Sequence, residues 1–371
     1  MIVNQLTLVN FKNIAEADLV FSPKMNCLFG NNGMGKTNLL DALYYLSFAK
    51  NHTNLTDSQL ITHECDFSVL QGFYSDNEIL EEIYCGIKRK QKKVFKRNKK
   101  EYERLSEHIG LIPLVMVSPA DIELIQGGSD ERRKFTDMLI CQYDKEYLRL
   151  LIHYNKALNQ RNALLKTPTS NTESIFEIWE EQMAVSGQAI YEKRKTFLEE
   201  FLPIFHTYYR EISDANEEVN LVYDSQLEQR DLGEMLSAKR ERDLVLGYTS
   251  SGIHKDDFHF LLDDYLIRKI GSQGQNKTYL IALKLAQFRF LAQKSESIPI
   301  LLLDDLFDKL DANRVEKIIR LVAQPEFGQI FITDTNRKYL DEILAQIQYD
   351  YRLFQVENGQ IQTLTDGTTK S

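Results

Sequence analysis

The sequence predicts an α/β fold: a mixed β-sheet built around a phosphate-binding loop and interrupted by an inserted α-helical subdomain. Three observations carry that reading. Gly30-Asn31-Asn32-Gly33-Met34-Gly35-Lys36-Thr37 fits G-x-x-x-x-G-K-[ST], with an apolar run before it and apolar residues at helical spacing after it. Ile300-Leu301-Leu302-Leu303 is an apolar run closed by two carboxylates, Asp304 and Asp305. Between these, from residue 130 to about 240, apolar residues recur at the spacing of helices, as in Tyr143, Tyr147, Leu150, Leu151, Tyr154 and Leu158.

The 371 residues leave room for two or three domains, with expected boundaries at 1–128, 129–245 and 246–371. The net charge of −9 does not advertise a nucleic-acid binder. A local basic patch could still act as one, because the field of a charge falls off within about 8 Å at physiological salt. Cys27, Cys65, Cys85 and Cys141 show no metal or redox spacing and suit a reducing cytosol. The first residues lack a basic region followed by an apolar one, and no apolar run reaches the length of a membrane span. That argues against a membrane protein, although not against a soluble ATPase subunit that docks onto one.

Residues 2–11 alternate apolar and polar and predict a half-buried strand, with a second at 17–21. Met25-Asn26-Cys27-Leu28-Phe29 predicts a buried strand running into the loop. The loop's residue types follow from its chemistry. Gly30, Gly33 and Gly35 let backbone N–H groups approach a phosphate, with Asn31, Asn32 and Met34 between them. The loop ends on a helix N-terminus, where the dipole favours an anion. Lys36 can reach the β- and γ-phosphates of ATP, and the Thr37 hydroxyl can ligate Mg²⁺. The competing reading is a chance Gly/Asn-rich turn.

Residues 67–74 and 82–88 predict strands of a meander. The densest basic run follows, with Lys88, Arg89, Lys90, Lys92, Lys93, Lys96 and Arg97, and with Val94 and Phe95 inside it. That pattern predicts a hairpin with a basic outer face. It reads either as a solvated loop or as a contact to a DNA backbone, where each cation displaces condensed counterions. Residues 111–117 predict a buried strand, Ser118-Pro119 a helix start, and Gly127-Gly128 its end, with Ser129 opening another helix. A second long helix is expected over 173–201, with Pro203 just beyond it. Residues 258–262 and 265–270 predict strands, 271–275 open a helix, 329–335 form another buried strand, and 351–356 with 361–365 a terminal hairpin.

Several of these stretches resemble known families. Leu6-Thr7-Leu8-Val9-Asn10-Phe11-Lys12-Asn13-Ile14, ahead of a P-loop rich in Asn and Gly, resembles the opening of the SMC/RecF group of ATPases. Ser118-Pro119-Ala120-Asp121, then Gly127 followed by Arg132-Arg133-Lys134-Phe135-Thr136-Asp137, resembles the RecF family of bacterial DNA repair proteins. Gly252-Ile253-His254-Lys255-Asp256-Asp257 is similar to that family's G-P-H-R-D-D, with Ile253 for Pro and Lys255 for Arg. Ser272-Gln273-Gly274-Gln275 resembles the ABC signature. Asp304-Asp305 resembles a Walker B motif, with Asp305 where ABC ATPases carry Glu, and Phe307-Asp308-Lys309-Leu310-Asp311 resembles a D-loop. Thr333 and Thr335 stand near the place of the ABC switch His.

The resemblance implies an ABC-type ATPase head with mixed β-sheet plus an inserted α-helical lid. It implies a cytoplasmic protein that binds ATP and Mg²⁺ and forms a homodimer on ATP, with the Ser272 signature meeting the partner's γ-phosphate. Asp304 and Thr37 would hold the metal, Asp305 would orient or deprotonate the attacking water, and Asp311 would lie at the dimer interface. It further implies binding to double-stranded and gapped DNA, RecR- and RecO-like partners, and weak ATP hydrolysis acting as a timer. Arg132 and Arg133 read either as phosphate or subunit contacts or as exposed helix arginines, and His254 takes no proton-transfer role. The alternatives are an ABC-type ATPase that acts on another partner without DNA, a transporter subunit, a nuclease-type ATPase, and an adaptor that binds ATP without turnover.

Overall fold

A computed structural model describes residues 1–53, 55–76, 79–167, 172–213, 217–306, 310–335, 344 and 350–367. The chain divides into two units, Met1–Ala120 with Gln287–Ser371, and Asp121–Ala286.

In the first unit the alternating start becomes β1 (Ile2–Phe11) and β2 (Ile14–Val20), joined by a tight turn in which Lys12 takes a positive φ. The buried run Met25–Phe29 is β3, and α1 (Lys36–Phe48) follows. Next come β4 (Phe67–Asp76), β5 (Ile79–Lys88), β6 (Val94–Arg97), β7 (Lys100–Glu101) and β8 (Leu114–Val117). The lead-in strands do not join the sheet of the phosphate loop. They form an antiparallel sheet of order β2-β1-β4-β5-β6-β7. Its alternation leaves Leu6, Leu8, Leu70, Ile83 and Cys85 buried. α1 is buried on nearly every side, and its one enclosed carboxylate, Asp41, pairs with Lys12.

The second unit holds α2 (Glu123–Gln126), α3 (Ser129–Tyr143), α4 (Lys145–Lys166), α5 (Thr172–Ile212), β9 (Val219–Asp224), α6 (Leu232–Ala238), α7 (Arg240–Leu246), β10 (Asp257–Leu262), β11 (Tyr265–Leu266), α8 (Ile267–Ile270) and most of α9 (Gln273–Lys294). It takes in the 129–245 helical stretch together with 121–128 and 246–286. The pairing of β9 with β10, Asp224 opposite Asp257, draws the later segment in.

Three local expectations change here. α5 does not stop before Pro203 but runs on to Ile212. Phe201, Phe205 and Tyr209 continue one buried row along it, with Phe205 edge-on to Tyr279 at 4.9 Å. Burying each such ring stabilises by roughly 1.5–3 kcal/mol, enough together to offset the ~3 kcal/mol cost of an interior proline. β9 is a strand inside the stretch read as helical. Of residues 265–270, only Tyr265–Leu266 pairs as strand, and Ile267–Ile270 is a helical turn.

The first unit resumes with β12 (Ile300–Leu303), α10 (Ala312–Val322), β13 (Ile330–Asp334), β14 (Tyr351–Glu357) and β15 (Gln360–Gly367). The second sheet of this unit has order β15-β14-β3-β13-β12-β8, parallel throughout except for the antiparallel edge strand β15. Every residue of β8, β12 and β13 is buried, as strands covered on both faces require.

Candidate functional site

Parallel strands bring their carboxyl ends to one edge, where ligands of open α/β sheets bind. Phe29 is in register with Asp334, Leu303 with Ile332 and Val117, and Gln355 with Phe29. The phosphate loop after β3, the carboxylates after β12 and the turn after β14 therefore converge.

Asn31, Asn32 and Gly33 are exposed, Gly30 and Met34 half-buried, and Gly35 caps α1 at φ 115°. That φ disfavours any side chain, and a Cβ there would also lie 2.7 Å from Asn13 Oδ1. Two distant turns hold the loop. Asn13 Nδ2 donates to the Met34 carbonyl at 3.1 Å, and the Gly359 N–H donates to the same oxygen at 2.8 Å. The buried Lys36 Nζ donates to the Gly30 carbonyl at 2.8 Å and lies 3.9 Å from Asp305.

The Thr37 hydroxyl lies 3.0 Å from both oxygens of Asp304. Asp304 is 5% exposed, whereas Asp305 is 29% exposed and carries φ 42°. Burial pushes the Asp304 carboxyl above the usual range, and hydrogen bonds from Thr333 and Thr37 oppose that shift. The Thr333 hydroxyl donates to Asp304 Oδ1 at 2.7 Å and accepts the Asp305 N–H at 3.0 Å. Sequence reasoning saw Thr333 only as a histidine that was missing. It passed over Asn13 and Gly359, although an Asn-Gly pair (Asn358-Gly359) between two strands signals a tight turn.

The expected D-loop residues Phe307, Asp308 and Lys309 lie outside the described residues. Asp311 caps α10, accepting the Arg314 N–H at 3.0 Å. In the second unit, Ser272 caps α9 reciprocally with Gln275. The Ser272 N–H reaches Gln275 Oε1 at 2.7 Å, and the Gln275 N–H reaches Ser272 Oγ at 3.2 Å. Gln275 Nε2 is further held by Glu217 at 2.6 Å, while Ser272 and Gln273 are exposed and Gly274 half-buried. Lower on the same helix, Lys284 pairs with Asp121 of the S-P-x-D stretch at 2.7 Å, both buried.

The basic run is a hairpin, as expected, but its charges are not all free. Arg89 donates to the carbonyls of Cys65, Ser58 and Thr62. Lys93 Nζ bonds the Tyr45 hydroxyl at 2.9 Å and the carbonyl of Ala49, the C-cap of α1, at 2.6 Å. Arg97 pairs with Glu81, and Lys96 lies over the Tyr84 ring. Lys88, Lys90 and Lys92 are exposed, with no ion pair among the described residues.

Arg132 is buried and Arg133 half-buried, not exposed. Arg132 is 4% exposed and forks onto Asp257 at 2.8 and 3.0 Å, and Arg133 donates to the Asp256 carbonyl at 2.6 Å. The two motifs thus meet each other. Beside them, His254 Nδ1 lies 2.8 Å from the Tyr154 hydroxyl and Nε2 lies 3.0 Å from the Thr249 carbonyl. Burial pushes this imidazole down to about 4, so it is neutral and structural at physiological pH.

A model of the RecF/RecN/SMC N terminal domain family matches residues 2–362. The chain belongs to the RecF family. It is 68% identical to the DNA replication and repair protein RecF of Azobacteroides pseudotrichonymphae genomovar. CFP2, over 98% of this chain and 100% of that one. It is 60% identical to the protein of that description in Parabacteroides distasonis, over 99% of this chain and 100% of the relative. Among solved structures it is similar to that of the recombination mediator protein RecF-ATP in the RecFOR pathway. The TM-score is 0.88 at 30% identity, with 98% of each chain covered. The fold is accordingly that of an ABC-type ATPase head, with mixed sheet and helical insert.

Proposed function

We propose that this chain binds ATP at Gly30–Thr37 and, as an ATP-bound dimer, holds duplex DNA at gaps to assist recombinase loading in concert with RecR- and RecO-like partners. The observation that carries the reading is the meeting of Lys36, Thr37, Asp304 and Asp305 at one sheet edge. Backbone N–H groups of the loop and the α1 N-terminus take the phosphates, and Lys36 turns from the loop carbonyls to them. Thr37 and Asp304 suit Mg²⁺, since the hydroxyl and the buried carboxylate are hard oxygen donors that already face each other. Held by Thr37 and Asp304, the ion would supply positive charge that offsets the charge of the phosphates. Asp305 orients the attacking water, and being a shorter acid than Glu it sets a slow rate that times release from DNA. The exposed Ser272 cap offers a second phosphate contact to a partner copy.

The test is a mobility shift on duplex and gapped DNA with and without ATP. Lys36→Met and Ser272→Arg should each abolish the ATP-dependent complex. An ATP-dependent dimer that forms normally but never retards DNA would favour an ATPase acting on another partner.

A further inference from the structure

We propose that Thr333 is a positioning residue that holds the two carboxylates after β12 through one hydroxyl, an inference that rests on the nucleotide site described above. Thr333 is the penultimate residue of β13 and is 0% exposed. A β-branched residue suits a strand, but valine would do as well, and a buried hydroxyl destabilises unless it is hydrogen-bonded. Here it is bonded twice. A hydroxyl has one proton and two acceptor lone pairs. The proton goes to Asp304 Oδ1 at 2.7 Å, and a lone pair takes the Asp305 N–H at 3.0 Å.

Each bond has a separate consequence. Thr37 also donates to Asp304, but a threonine that turns its oxygen toward a cation no longer offers its proton in the same direction. Thr333 then remains the donor that keeps Asp304 in its rotamer. Asp305 sits at φ 42°, in the left-handed region that is strained for a non-glycine residue. Such a conformation persists where the surroundings over-determine it. The Thr333 oxygen supplies that constraint by fixing the Asp305 N–H, which sets where the half-exposed carboxylate points. One side chain thereby ties the metal-facing acid to the water-facing acid.

The experiment compares Thr333→Val, which keeps shape and removes the hydroxyl, with Thr333→Ser, which keeps the hydroxyl. Three quantities are read: binding of a fluorescent ATP analogue in EDTA, Mn²⁺ affinity by electron paramagnetic resonance with a non-hydrolysable analogue, and steady-state ATP hydrolysis. The valine variant should bind metal-free nucleotide within about twofold of wild type. It should lose about 10- to 100-fold in Mn²⁺ affinity, the usual effect of losing a partner of a metal ligand, with a matching fall in turnover. The serine variant should recover most of both. Unchanged Mn²⁺ affinity in the valine variant overturns the proposal, and so does a serine variant as impaired as valine. Thr333→Ala is read by the same criteria should the valine variant not fold. If wild-type protein binds neither nucleotide nor Mn²⁺, the site reading itself fails and the Thr333 role falls with it.

Discussion

Removing the Arg132 guanidinium tests whether the paired arginines serve the fold or an outside ligand. Arg132 sends two parallel bonds to Asp257 and a third, at 2.8 Å, to the Gly127 carbonyl. Burial pushes the Asp257 carboxyl up, yet the bonds from Arg132 outweigh it and hold the group below the usual carboxylate range. Arg132→Ala would leave that charge without its partner. Breaking a buried pair costs about 3–5 kcal/mol, and since Asp257 is 18% exposed the lower end, ~3 kcal/mol, is expected. Urea unfolding followed by circular dichroism would measure it, with Asp257→Ala and the double variant completing a cycle. The coupling should reach about 2 kcal/mol, near the upper range for residues in contact. Arg132→Lys should recover less than half, because an ammonium cannot reproduce the fork. If Arg132→Ala unfolds within about 0.5 kcal/mol of wild type, the reasoning is refuted. Loss of the ATP-dependent DNA complex in that stable variant would make the arginine a contact to a ligand.

Other outcomes follow from the same geometry. Gly359→Ala should weaken ATP-analogue binding by roughly tenfold, because φ 80° disfavours a side chain and a Cβ would press on the Asn13 carbonyl. Equal affinity would show that the loop stands without this support. Since the folded His254 titrates at about 4 and the free group near 6.5, the unfolded chain takes up the proton first as pH falls. Stability should therefore drop between those values by at most ~1.4 kcal/mol per pH unit, and His254→Gln, which keeps a donor and an acceptor, should flatten the slope in denaturation series. Lys90→Glu with Lys92→Glu should weaken DNA binding and lower the salt slope by about 2, with ATP affinity unchanged. A slope equal to wild type would remove these lysines from the interface.

What was legible in the sequence was what local pattern encodes. The phosphate loop declared itself by glycine spacing between strand and helix, and β12 by an apolar run with acids at its end. Partnership between distant residues left no such mark. Arg132 and Asp257 lie 125 positions apart, and nothing in either motif names the other. Counting basic residues could not reveal that Arg97 has Glu81 beside it or that Lys93 turns inward to α1. α5 was cut short because a proline carries a strong local signal, while the edge-on packing of Phe205 against Tyr279 that helps outweigh it is tertiary. β9 was missed because six residues of mild alternation between helices are stabilised by their cross-strand neighbours, not by propensity.

The placement of β3 between β14 and β13 bears on how the protein is made. Met34 emerges from the ribosome 324 residues before Asn358, the turn residue whose amide reaches its sulfur. At 5–20 residues per second that interval is roughly 16–65 s. Throughout it, a strand whose neighbours are still unsynthesised must keep its apolar edges from unrelated chains. Nascent fragments would thus be unable to capture nucleotide, and this stretch should be a preferred client of holding chaperones during synthesis.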